Sequence, residues 1–383
     1  MSYQPLQTPV KTHWDERRLG WLALASFEGF GARTLRKLDK LFGQDGQAAL
    51  GVGLETLEEM GHGAKVTQRF SEYRHETEPT QLAENLDAQG IRFLLSSDPD
   101  YPDILRHSSD PPFALFVRGE PVPDRTLISI VGTRDMTPYG RGIAHTFGRE
   151  LAQTGIGIVS GLALGIDATA HDGALEGDGY TVAVLGTGND DASIYPKHNL
   201  TLAKRILEAG GTIISEFAPG TEAFKHNFPL RNRVIASLSK ATVVIEAAEA
   251  SGSLITAHLA LSENRDVFAV PGPINSPQSE GTNRLLAKGA IPCLSTRDIL
   301  DHLGGQTVSH AERTLSPIEL SDAEQKIIKT LSYPRSIDEL ARALETSVAS
   351  LSIALTGLEL RGAIAHESGK ICAKIRAPKA SDD

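Results

Sequence analysis

RTLISIVGTRDMTPYGRGIAHTFGRELAQTGIGIVSGLALGID, residues 125–167, decides the fold. LISIVG (127–132) and GIGIVS (155–160) are short apolar runs without the polar alternation of a strand that has one wet face, so they read as strands buried on both faces. The segment between them is long enough for a crossover helix, which makes a βαβ unit. The texture continues through YTVAVLG (180–186), GTIISE (211–216), ATVVIEA (241–247), RDVFAV (265–270) and AIPCL (290–294). Strand runs alternating with helical segments over 125–303 predict an α/β fold, a doubly wound parallel sheet.

Outward from this core the texture changes. Residues 1–78 predict a small helical domain, with amphipathic runs such as WLALASFEGFG (21–31) and ARTLRKLDKLFG (32–43). GFGARTLRKL (29–38) has the glycine start of a SAM- or helix-hairpin-helix-like turn, which can hold a phosphate on helix-terminal amides, and reads equally as a tight helix–helix turn in an interaction domain. Residues 79–124 form an extension of the core, with a helix over 81–89, the strand IRFLL (91–95) and a proline-rich stretch ending in PVPD (121–124). Residues 304–319 lack apolar periodicity and read as a linker. Over 320–378, three helices (322–331 behind Ser321, 337–344 behind Ser336, and 347–361) and a hairpin in GAIAHESGKICAKI (362–375) predict a winged helix. Its third helix ends in Glu359 and Arg361, a poor complement to a major groove, so protein contact or weak duplex binding is expected of it.

Composition bounds the function. The 383 residues carry a formal net charge of −10 with 40% hydrophobic content, a globular chain long enough for two or three domains. That charge argues against coating duplex DNA with the whole surface, because phosphate binding runs on Lys and Arg displacing counterions. No stretch reaches the roughly 20 apolar residues of a membrane span, and the first residues lack a signal-peptide pattern, so a cytoplasmic protein is expected. Cys293 and Cys372 lack metal or redox spacing and read as buried thiols.

The strands deliver unusually glycine-rich loops to the sheet's carboxyl edge: Gly132-Thr133-Arg134, Ser160-Gly161-Leu162-Ala163-Leu164-Gly165-Ile166-Asp167, and Gly186-Thr187-Gly188. Glycine there lets a phosphate approach backbone amides. None is a full dinucleotide fingerprint and no Walker sequence occurs, so neither a bound nucleotide cofactor nor ATP hydrolysis is expected. An arginine at a strand end beside amide donors still suits a phosphodiester. KHNFPLRNRVIASLSK (225–240) holds Lys225, Arg231, Arg233 and Lys240 without one acidic residue. Phe228 inside it offers a stacking face for a base, or else packs inward while the arginines pair with strand-edge carboxylates. Ser251 and Ser253 open a helix, where they cap it or donate to a phosphate. Asp167, His171, Asp172, Glu216 and Glu246 make no Ser-His-Asp order and no metal spacing; Asp167 and His171 are read as capping and bracing groups.

IVGTR (130–134), SGLALGID (160–167), YPKHN (195–199), FPLRNRVIASLS (228–239), GSLITA (252–257) and PG followed by EGTNRLLAKGA (280–290) together resemble the DprA (Smf) family of DNA-processing proteins. The resemblance implies an extended Rossmann-like fold that dimerises, binds and protects single-stranded DNA in a positive pocket without catalysis, holds duplex more weakly, and loads RecA recombinase during natural transformation. It also implies roles: Arg134 on a phosphate, Lys197 and Lys225 as pocket lysines, Phe228 stacked on a base, Ser160, Gly161 and Ser253 on the pocket floor, and Arg231 and Arg233 as DNA contacts or braces. One departure is the longer run Asn189–Ile194 before Tyr195-Pro196, which bears on where Lys197 lies. The alternative is a nucleotide-processing enzyme similar to the phosphoribohydrolases and lysine-decarboxylase-like proteins, whose Pro-Gly-Gly-x-Gly-Thr loop is broken here at Pro271-Gly272-Pro273.

Overall fold

The computed structural model describes residues 12–304, 321–331, 333, 335–344, 346–360, 363–367 and 370–373. The chain divides into two compact units, residues 1–310 and 311–383.

The first unit is built on a nine-stranded sheet: β1 (Ile91–Leu95), β2 (Ala114–Gly119), β3 (Leu127–Val131), β4 (Gly157–Ser160), β5 (Thr181–Leu185), β6 (Thr212–Ser215), β7 (Ala241–Val244), β8 (Asp266–Ala269) and β9 (Ile291–Pro292). In space they run β1-β2-β6-β5-β4-β3-β7-β8-β9. From β6 to β9 every pairing is parallel, whereas β1–β2 and β2–β6 are antiparallel. The sheet is therefore mixed and mostly parallel. β2 is the strand that the extension over 79–124 hid: ALFVRG is flanked by prolines on both sides, within the stretch expected only to be proline-rich, yet it pairs Phe116 to Gly119 with Ser215 to Thr212.

Period-two alternation sorts the buried strands onto two faces. In β3, Leu127 and Val131 point to a core completed by Val234, Ile235 and Leu238 of the helix Asn227–Leu238 and by Ala257 and Ala260 of the helix Gly252–Ser262. Ile128 and Ile130 point the other way, onto Ala144, Phe147 and Leu151 of the helix Pro138–Gln153 and Ala170 and Ala174 of the helix Ile166–Glu176. Those last two helices touch backbone to backbone: a Cβ on Gly148 would run into the Ala170 carbonyl, and one on Gly173 into the His145 carbonyl. Gly148→Ala is accordingly expected to force the helices apart and cost about 1–3 kcal/mol. Urea melts check this, since the midpoint should fall with the slope unchanged; a midpoint equal to wild type would mean that the helices separate freely.

The N-terminal helices do not keep a core of their own. Trp21, Phe27, Phe30 and Phe70 share one cluster with Phe93 of β1 and Phe116 of β2, and the Trp21 ring lies 4.8 Å from Phe113. A boundary at 78/79 cuts through this cluster.

In the second unit, helices Asp322–Thr330, Ile337–Ala343 and Val348–Leu360 pack Ile327, Leu340, Leu351 and Leu355 against Ile364 and Ile371 of an antiparallel hairpin, Ile364–Glu367 with Lys370–Ala373. Ser321 with Glu324 and Ser336 with Glu339 form capping boxes at the first two helices. This is a winged helix. Of the linker expected at 304–319 only Gly304 is among the described residues, and 374–378 also lie outside them. Cys293 is fully buried, which pushes its thiol up to about 12. Cys372 is only half-buried, against the expectation for both thiols: it alternates with the inward Ile371 along the hairpin.

Candidate functional site

The strand order places the site. β3 and β7 are neighbours, but the chain steps from β3 outward through β4, β5 and β6, and from β7 the opposite way through β8 and β9. Loops leaving adjacent strands in opposite directions open a crevice beyond the carboxyl ends. A crevice of about 270 Å³ lies there, lined by Gly132 and Arg134 after β3, Asp167 at its helix start, Phe228 and Asn232 from the helix Asn227–Leu238, and Ser251, Gly252 and Ser253 at the start of the helix Gly252–Ser262.

Buried Glu246, just past β7, fixes the wall that carries Arg134. Its carboxylate accepts the Thr137 hydroxyl at 2.6 Å and the Thr137 N–H at 2.9 Å, and its carbonyl accepts the Thr133 N–H at 2.7 Å. A Cβ at Gly140 would meet that carboxylate, so the turn requires glycine. Sequence reading had noted Glu246 without this role; Thr137-Pro138, a cap followed by proline at the helix start, was the available signal.

Two buried groups of opposite charge, Arg231 and Asp167, form the floor. The Arg231 guanidinium, on a residue only 5% exposed, donates to the Gly161 carbonyl at 2.7 Å and to the Val184 carbonyl. Asp167 accepts the Gly161 N–H at 3.0 Å. Burial raises the Asp167 carboxyl above its usual range against the opposing pull of Arg231, and burial lowers Arg231 to about 10, where it is still a cation at neutral pH. Gly161 is held between the two, and a Cβ there would lie 2.6 Å from the guanidinium carbon. The Ser160 hydroxyl is turned away, donating to the Ile130 carbonyl at 2.6 Å. Ser160 and Gly161 therefore brace the floor from below without lining it. His171, fully buried, pairs Nδ1 with the Thr181 hydroxyl at 2.7 Å, and burial drives its imidazole down to about 3, so it stays neutral.

At the mouth the arrangement is open. Arg134 is exposed, makes no ion pair among the described residues, and carries its guanidinium 5.4 Å from the centroid of the half-buried Phe228 ring. The Phe228 edge rests on Gly186, where a Cβ would come within 3.0 Å. Tyr195, whose ring is 5.9 Å from that of Phe228, stands beside it. Ser253 lines the crevice with its hydroxyl 2.8 Å from that of Ser251.

Four expected site residues lie elsewhere or are engaged. Lys197 turns its ammonium back onto the carbonyls of Asp191 and Ala192, on the long loop whose Asp190 carboxylate accepts the Ser193 and Gly220 N–H groups. Lys225 is exposed, with no ion pair among the described residues, on the loop ahead of the Phe228 helix, between Phe224 and His226, whose rings stack at 5.6 Å. Arg233 spans both oxygens of Glu216, at 2.6 and 2.7 Å, and also reaches Asp110. Arg231 is the buried brace described above. Of the two readings the motif allowed, DNA contact or brace, Arg231 lines the crevice while its guanidinium holds the Gly161 carbonyl, and Arg233 is paired with Glu216.

Pro271-Gly272-Pro273 lies outside the crevice lining, with the Gly272 N–H bound to the Asn283 side chain at 3.2 Å. Among the described residues no group of three His, Cys, Asp or Glu side chains could hold a metal, and no helix is long and apolar enough to cross a membrane.

Comparison with known proteins gives this crevice a lineage. Residues 92–304 match the model of DNA recombination-mediator protein A, and residues 311–370 match the DprA winged helix domain. The chain belongs to the DprA family. Protein Smf of Synechocystis sp. is 32% identical over 91% of this chain and 96% of its own, and the DNA processing protein DprA of Bacillus subtilis is 39% identical over 58% of this chain and 75% of its own. Among solved structures, DprA from Streptococcus pneumoniae superposes with a TM-score of 0.62 at 30% identity, over 76% of this chain and 98% of the other. The matched DprA region begins at residue 92, so the antiparallel pair β1–β2 lies within the family core.

Proposed function

We propose that the chain binds single-stranded DNA in the switch-point crevice without catalysis, protects it, and delivers RecA onto it as a homodimer in the cytoplasm, during uptake of DNA by natural transformation. The observation that carries the binding reading is the exposed, unpaired Arg134 guanidinium over Phe228, at the mouth of a crevice whose far wall offers the hydroxyls and amides of a helix start. A cation with a planar fork suits a phosphodiester, and an aromatic beside it offers a face that any base can stack on. Lys225 supplies further positive charge outside the crevice. The carboxylate in the floor is committed to bracing Gly161, so it is not poised as a general base. A single strand can present its bases to Phe228, whereas a duplex keeps them stacked and paired, so duplex is expected to bind more weakly. The recombination-mediator description of the matched region supports the RecA role.

Fluorescence anisotropy of a labelled thymine oligonucleotide across a salt series, with matched duplex as competitor, tests the reading. Phe228→Ala should weaken single-strand binding by about 1–3 kcal/mol. Binding indifferent to Phe228 and Arg134 would sink the crevice and turn attention to nucleotide hydrolysis. RecA delivery is read separately, as a shortened lag in RecA filament growth on strands precoated with single-strand-binding protein; a lag unchanged by the protein would remove that part.

A further inference from the structure

Tyr195 stands beside Phe228 but outside the crevice lining. It is 45% exposed, it sits at the end of the long loop Asn189–Ile194, and its hydroxyl has no partner among the described residues. An exposed tyrosine without a hydrogen-bond partner, 5.9 Å from a second aromatic at the mouth of a binding crevice, is a surface kept available. Phe228 itself is less available, since its edge is on Gly186 and the Arg134 guanidinium lies over its ring.

The two rings are inclined at 48°. A base lying flat on one is tilted by that angle to the other, so a single base cannot stack on both. We propose that Tyr195 is a second stacking platform and that Tyr195 and Phe228 each take one of two consecutive bases, with the strand bent between them over Arg134. The proposal rests on the single-strand reading above and adds to it a residue and a geometry. It also gives the long loop a purpose: Asp190 ties it to Ser193 and Gly220, and Arg118 and Lys204 hold Asp191 at 2.5 and 3.2 Å, fixing the stem that presents Tyr195.

The test uses the full chain and a thymine oligonucleotide with one abasic position walked along it. Against the intact oligonucleotide, Tyr195→Ala and Tyr195→Leu should each bind about fivefold to 150-fold more weakly, while Tyr195→Phe, which keeps the face and loses only the hydroxyl, should bind like wild type. One abasic position should erase the Phe228→Ala deficit and the adjacent one the Tyr195→Ala deficit. Normal binding by Tyr195→Ala beside a weakened Phe228→Ala would overturn the second platform and leave the crevice standing. A single abasic position erasing both deficits would mean that the rings share one base and would overturn the bent pair. A Tyr195→Phe defect equal to that of alanine would make the residue a hydrogen-bond donor rather than a stacking face. Indifference to both rings would fail the underlying reading as well.

Discussion

Arg134→Ala is expected to remove most single-strand affinity, on the order of 3 kcal/mol at low salt, near the upper end for hydrogen bonds to a charged group. The magnitude follows from the charges around the crevice. Arg231 and Arg233 are engaged within the protein and Lys197 is folded onto its own loop, so Arg134 is the cation that both lines the crevice and lacks an internal partner among the described residues. With an overall charge of −10 the rest of the surface does not compensate. The salt series separates charge from shape. Each phosphate neutralised contributes about 0.7 to the slope of log affinity against log salt for a single strand, so the variant's slope should flatten by about that much. Arg134→Lys should keep the slope and still lose affinity, because an ammonium lacks the fork that grips two phosphate oxygens and the planar face that lies over Phe228. An Arg134→Ala protein with unaltered slope and affinity would show that phosphates are held elsewhere.

How much of this was legible in the sequence depends on whether the signal was local. Short apolar runs located all seven strands of the core segment and β1 before it, because a buried strand leaves a clear composition. β2 escaped because direction and neighbours are not local: nothing in ALFVRG says that it runs antiparallel beside β6. The crevice was legible as glycine loops plus Arg134 and Phe228, while the partners that stiffen it, such as Glu246 against Thr137, lie 109 residues apart in the chain and meet only through the β3–β7 pairing. The basic cluster misled for a different reason. Charge composition says nothing about which way a helix faces, yet the helix itself did: Asn227, Arg231, Val234, Ile235 and Leu238 fall on one stripe of period 3.6, and all are buried. Arg231 sits on the buried side of its helix where that side meets the crevice, and Phe228 and Asn232, one position further around, line its more open part.

That placement makes Arg231 the most consequential residue for stability. Arg231→Met keeps much of the volume and removes the charge, leaving the Gly161 and Val184 carbonyls without their donor and Asp167 without its countercharge. Two buried carbonyls left without a donor, at about 1–3 kcal/mol each, with the lost attraction to Asp167 beside them, set the expected cost at about 3–5 kcal/mol. The pH dependence has a definite sign. Asp167 is already raised by burial, and losing Arg231 raises it further, so the folded variant holds a proton that the unfolded chain has released. Stability then falls as pH rises from the unfolded carboxyl range, near 4, through the raised value, and the gap to wild type should widen between about pH 4 and neutrality. Urea melts of wild type, Arg231→Met and the Asp167→Asn/Arg231→Met double variant at two pH values would measure it. The amide cannot ionise, so the double variant should recover part of the loss and most of its pH dependence. If Arg231→Met unfolded at the wild-type urea midpoint and lost only DNA binding, the guanidinium, which lines the crevice, would be a DNA contact rather than a brace.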